Sequence, residues 1–232
     1  RRGVDDVMGV DRQWVRAWHD AVLEAEAVIP FECLSRVDLM DKEMARLLKE
    51  IGCKRIAFGT ESGSQKVLDA MLKGTKVEQI YRAAELCREV GIETYFYMMV
   101  GYPGEEWADL KRSVQLLRET RPDMFSTTIA YPLPGTAFYE QVQHRLPAEA
   151  AEMPDWDYTA ENRLLFETGR YNTAFYRRVI RWFHSEWLDG RWQVGVPATL
   201  LQRLEKKLGL WRDRLLMTLL ARVAELRPRT GA

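Results

Sequence analysis

Two rhythms of apolar residues alternate along the first 145 positions. Short runs rich in β-branched and aromatic side chains at 29–34, 54–59, 93–101 and 124–131 read as strands. Between them, residues 11–26, 41–51, 77–90 and 104–120 return apolar side chains at helical spacing. Trp14, Val15, Trp18, Val22 and Leu23 share one face of the first stretch, with Asp11 placed as its cap. Met44, Leu47, Leu48 and Ile51 do the same in the second. A shorter helix over 64–72 ends before Gly74, and another falls near 136–143. This alternation predicts a parallel α/β structure, a doubly wound sheet or a barrel. Only four complete or partial β/α units are present, whereas about six to eight would close a barrel.

Beyond residue 150 the pattern becomes helical. Residues 172–188 form a stretch rich in Trp and Arg, and about 198–226 place Leu201, Leu204, Leu208, Trp211, Leu215 and Leu219 at helical spacing. The expected organisation is a β/α part over 1–145 and a mainly α-helical extension over 146–232.

Charge sharpens that division. The 34 basic and 34 acidic residues cancel, which argues against a chain built mainly to hold nucleic acid. Residues 171–232 nevertheless carry 12 basic against 5 acidic side chains, leaving 22 against 29 in residues 1–170. No apolar run reaches the roughly 18 to 20 residues of a membrane span, and the polar first ten residues do not read as a signal peptide. Cys33, Cys53 and Cys87 are too far apart for a local metal clip, so reduced thiols in a cytoplasmic protein are expected. The chain begins with Arg1 rather than Met, and the expectation is a piece of a longer protein.

In parallel α/β folds, chemistry gathers at the carboxyl ends of strands. Four such ends stand out here: Leu34-Ser35-Arg36, Gly59 to Gly63, Gly101 to Glu105, and Tyr131 to Thr136. They offer one cation, one carboxylate, stiff prolines, and glycines that let backbone approach a ligand. Arg36 could instead pair with Asp38, and Glu61 could be a solvated loop carboxylate. The three histidines, His19, His144 and His184, are scattered and read as surface or helix residues. No metal-ligand set emerges.

The order of these motifs resembles the second half of a radical S-adenosylmethionine (SAM) barrel, in the branch that carries a cobalamin-binding domain. The matching segments are Val4-Asp5-Asp6, Cys33 to Arg36, Phe58 to Ser64, Gly101 to Glu105 and Pro132 to Thr136. The resemblance implies that Ser35, Arg36, Glu61, Tyr97, Met99 and Gly101 contact SAM. It also implies that Asp5, Asp6, Pro132 and Pro134 stand on the side of a small organic substrate. In that family a [4Fe–4S] cluster, fed by an electron donor, cleaves SAM to a 5′-deoxyadenosyl radical, and cobalamin bound by an upstream domain can join the chemistry. The C-x-x-x-C-x-x-C cluster loop does not occur in this sequence. Its ligands are expected upstream of residue 1, and the chain alone is expected to be inactive.

Other readings stay open. A degenerate barrel that binds a partner or small ligand without catalysis is one. A different β/α-barrel enzyme using Glu61 as a base is another, but no Lys or His partner stands at a neighbouring strand end. The segment with Trp156 and Tyr158 and the helix over 172–192 are similar to the tail of the anaerobic magnesium-protoporphyrin ester cyclase group. The basic C-terminal helices are expected to pack on the barrel or on a second subunit, with contact to an anionic bilayer as the alternative.

Overall fold

Four parallel strands, ordered β1-β2-β3-β4, carry the β/α part of the chain. The computed structural model describes residues 7–146, 165, 166, 168, 170–192 and 200–225. The strands are β1 (Phe31–Ser35), β2 (Cys53–Glu61), β3 (Glu93–Val100) and β4 (Met124–Ile129). Helices α1 (Arg12–Glu24), α2 (Lys42–Glu50), α3 (Gln65–Ala70), α4 (Val77–Val90), α5 (Trp107–Thr120) and α6 (Ala137–Val142) alternate with them. Two long helices, α7 (Thr173–Trp192) and α8 (Leu200–Glu225), complete the described chain. This is the expected fold class, the C-terminal portion of a partial β/α barrel followed by a mainly helical tail.

Local chemistry sets the element ends. Asp11 caps α1 by accepting from the Trp14 amide at 3.0 Å, and Asp41 caps α2 through Met44. Gly91 ends α4 in the left-handed region, at φ 72°. Glu106 caps α5, and its own amide donates to Asp109 at 2.9 Å.

Two compact units emerge, residues 1–98 with 122–126 and residues 99–121 with 127–232. In the first, alternation along the strands sorts the side chains. Thr94, Phe96 and Met98 are buried, with Phe96 edge-on to Phe58 at 6.3 Å. Leu34, Ala57, Tyr95 and Tyr97 follow the opposite parity, and the Tyr95 and Tyr97 rings sit 4.7 Å apart. Leu34 and Tyr97 keep about two fifths of their surface exposed, at 40% and 39%. That open face is the one a barrel would turn inward. At its amino end, Arg55 pairs with Glu32 of β1 and Glu93 of β3.

His19 is a helix residue of α1, as one arm of its reading had it, and is buried, with its ring nitrogens 2.9 Å from Asp20 and 2.7 Å from Glu50. Trp14 and Leu23 are exposed, and Val15 is the fully buried apolar residue of that helix.

In the second unit, α7 is held by a buried carboxylate. Glu186, 1% exposed, accepts two bonds of 2.6 Å from Arg214 and one of 2.8 Å from the Trp182 indole. Trp182 stacks on Trp107 of α5 at 4.9 Å. Helix α8 turns Leu210, Met217 and Ala221 inward, whereas Leu208, Trp211, Leu215 and Leu219 of the expected docking stripe point to solvent. The inward set wins because it lies on the same side as Arg214 and Asp213, whose pairings with Glu186 and Ser185 fix the rotation of the helix.

Candidate functional site at the strand ends

The carboxyl end of β2 is unusual in its backbone. Glu61 has φ +57°, and the sheet register shifts between Gly59 and Glu61. A left-handed conformation at a non-glycine residue is uncommon and held by its surroundings. Here Ser62 N–H donates back to the Thr60 carbonyl at 2.7 Å, and the buried Thr60 hydroxyl donates to the Tyr97 carbonyl at 2.9 Å. The turn places the Glu61 carboxylate above Gly59, on the open face.

Lys73 meets it there. Its ammonium lies 2.8 Å from Glu61 Oε1, and both side chains are largely shielded, at 26% and 17% exposure. A Cβ on Gly59 would come within 2.9 Å of both charged groups, so the pair occupies the space that a side chain there would take. Lys73 comes from the loop between α3 and α4, where Leu72 (φ +53°) and Gly74 (φ +70°) fold the chain back. The sequence reading missed it because it looked for a cationic partner only at neighbouring strand ends. The available signal was a lysine followed by glycine between the short helix α3 and the longer α4.

Arg36 reaches the same place indirectly. It makes a bidentate pair with Asp38, at 3.0 Å for each bond, and donates to the Lys73 carbonyl at 3.2 Å. The local alternative is therefore what the structure displays, and it ties Arg36 to the loop carrying Lys73. Ser35 is buried and donates to the Met8 carbonyl at 2.7 Å, which anchors the chain beside β1. Thus Arg36, Glu61 and Lys73 are linked at one edge of the first unit. Tyr97 stands on the open face of the same unit. Asp5 and Asp6 lie outside the described residues, as do Trp156 and Tyr158.

The remaining candidates belong to the second unit. Met99 packs on the apolar cluster of Ala130, Val142 and Phe166. Gly101, at φ +87°, donates its amide to the buried Glu105 carboxylate at 2.7 Å. Glu105 thereby braces this turn, and Glu106 takes the cap position of α5. Pro132 is buried, whereas Pro134 is exposed in a turn closed by Thr136 N–H donating to the Leu133 carbonyl.

The cysteines do not suit an iron–sulfur cluster. Cys33 and Cys53 bring their sulfurs to 4.0 Å on adjacent strands. The contact with Cys53, reinforced by burial, pushes the Cys33 thiol well up, and burial pushes Cys87 up to about 12. Cluster ligands must be thiolates. Among the described residues no group of three or more His, Cys, Asp or Glu is arranged to hold a metal ion.

Residues 11–117 match the family model of the radical SAM superfamily, a span that includes β1 to β3 and the Glu61–Lys73 pair. Residues 11–117 thus correspond to part of a radical SAM domain. The chain is 29% identical over 112 residues to an uncharacterized methyltransferase of Pyrococcus horikoshii, covering 48% of this chain and 24% of the relative. It is also 29% identical over 104 residues to the anaerobic magnesium-protoporphyrin IX monomethyl ester cyclase of Rubrivivax gelatinosus, covering 45% and 19%. The chain thus spans about a quarter or less of these relatives. Among solved structures, the radical SAM methyltransferase TsrM of Kitasatospora setae, with cobalamin and a [4Fe-4S] cluster bound, superposes with a TM-score of 0.52. Its identity is 20%, over 57% of this chain and 27% of TsrM, which is a likeness of fold.

Proposed function

We propose that the protein carrying this chain is a radical SAM enzyme, and that residues 1–145 supply SAM-binding strand ends to its barrel. The reaction is 5′-deoxyadenosyl radical chemistry, or a cobalamin-dependent methyl transfer or cyclisation, on a small organic substrate. The observation that carries this reading is the Glu61–Lys73 pair above Gly59. SAM presents a carboxylate, an ammonium and a ribose diol. A fixed ammonium and a fixed carboxylate match those groups, and each can exchange its partner for a ligand group of the same charge. No uncompensated charge is then left in the shielded site. In this reading Arg36 holds Lys73 in place, and Tyr97 offers an aromatic wall on the open face. The methyltransferase and cyclase relatives support the two outcomes named.

The cluster that would supply the reducing electron needs ligands other than Cys33, Cys53 and Cys87, because these three are not grouped to hold a metal ion. The 232 residues alone are accordingly proposed to be catalytically incompetent.

The test uses the full-length protein after anaerobic cluster reconstitution. Glu61→Gln and Lys73→Met should each weaken SAM binding roughly tenfold, the scale of one charged hydrogen bond. Unchanged affinity in both would refute the site. Transfer of a labelled methyl group from SAM to product separates methyl transfer from cyclisation.

A further inference from the structure

We propose that the outer face of α8 lies on an anionic lipid surface. Leu208, Trp211, Leu215, Leu219 and Val223 line that face at helical spacing, each between 47% and 67% exposed. The inward face is already taken by α7, so this apolar stripe has no use in the described packing of the helix. Large apolar side chains exposed in one row mark a contact surface.

Charge selects the occupant. Lys207, Arg212 and Arg222 are exposed along the same side of the helix. Between residues 207 and 223 the single carboxylate is Asp213, whose other oxygen accepts from Ser185 of α7 at 3.1 Å while Arg212 approaches at 3.5 Å. The outward face therefore combines Leu, Val and Trp with cations. A second copy of this face, packed on the first by a two-fold axis, would bring the like charges together. An anionic interface accommodates both components, with the apolar row entering the acyl boundary and the long basic side chains reaching headgroups.

Geometry agrees. No described helix is long and apolar enough to cross a membrane, so α8 would lie in the plane of the surface. At one end of the stripe, a cleft of about 180 Å³ between α7 and α8 is lined by Leu220 and Val223 together with Arg170 and Arg178. An apolar wall beside two guanidinium groups suits a phosphate headgroup joined to a chain.

The experiment is co-sedimentation of the full-length protein with vesicles of phosphatidylcholine alone or mixed equally with phosphatidylglycerol. Binding is expected only to the mixed vesicles, and it should weaken with added salt. Arg212→Glu/Arg222→Glu should lower partitioning at least tenfold, from roughly fivefold for each cation lost. Leu215→Glu/Leu219→Glu should abolish it while circular dichroism and the melting midpoint stay unchanged, since both residues are exposed. Equal binding to both vesicles, binding that survives the Leu pair, or absent binding with a dimer dissociated by Leu215→Glu would each overturn the proposal.

Discussion

Lys73 Nζ sits 2.8 Å from Glu61 Oε1, and the pair rests on the bare Cα of Gly59. Two residues separated by twelve positions thus share a site that neither strand nor helix periodicity announces. Gly59→Ala puts a methyl group 2.9 Å from both charged atoms, and these are the ends of flexible side chains. The variant should fold, losing about 1 kcal/mol or less by denaturant titration. It should separate the pair, and SAM binding by the full-length protein should fall by the same order as in Lys73→Met. A normal affinity with a separated pair would remove Gly59 from the argument.

Arg36→Ala tests whether that side chain acts through Lys73. It removes the donor to the Lys73 carbonyl and frees Asp38. SAM affinity should drop less than in Lys73→Met, and the double variant should add little to the Lys73 effect. Full additivity would instead mark Arg36 as an independent contact.

The pairing of Glu186 with Arg214 and Trp182 is expected to dominate the stability of the second unit. Glu186→Ala leaves a guanidinium and an indole facing a buried gap. The loss should reach about 1.5 kcal/mol in urea unfolding, because the Arg214 guanidinium left behind keeps 42% exposure and can be rehydrated. Arg212→Ala, at an exposed site, should change it by under about 0.5 kcal/mol.

His19 gives the first unit a pH dependence. Its hydrogen bond to Asp20, and after it the one to Glu50, hold the imidazole pKa above its ordinary value against the opposing effect of burial. A group whose pKa is raised by folding stabilises most below its unfolded value of about 6.5. That stabilisation is lost as pH rises through the folded value. Thermal midpoints should therefore fall on going from pH 6 to pH 8, and His19→Gln should flatten the trend.

How much of this could be read from the chain follows from where each signal resides. Strands β2 and β3 were visible because Ile56, Phe58, Phe96, Met98 and Val100 make dense apolar runs, and their observed limits lie within two residues of the reading. The cap of α1, Asp11, was local and legible. Lys73 was not, because two left-handed residues, Leu72 and Gly74, turn its loop over the sheet. Which face of α8 packs on α7 was not legible, because the more apolar stripe of Leu208, Trp211, Leu215 and Leu219 is the exposed one. Ion pairs of Arg214 and Asp213, invisible to periodicity, chose the other side.

The row of Glu32, Arg55 and Glu93 across three strands has a consequence for assembly of the sheet. Sliding β2 by one residue against its neighbours would swing the Arg55 guanidinium onto the side that holds Ile56 and Phe58 and strand both carboxylates. The triad therefore favours the native register, because the slipped sheet would leave all three charges without their partners.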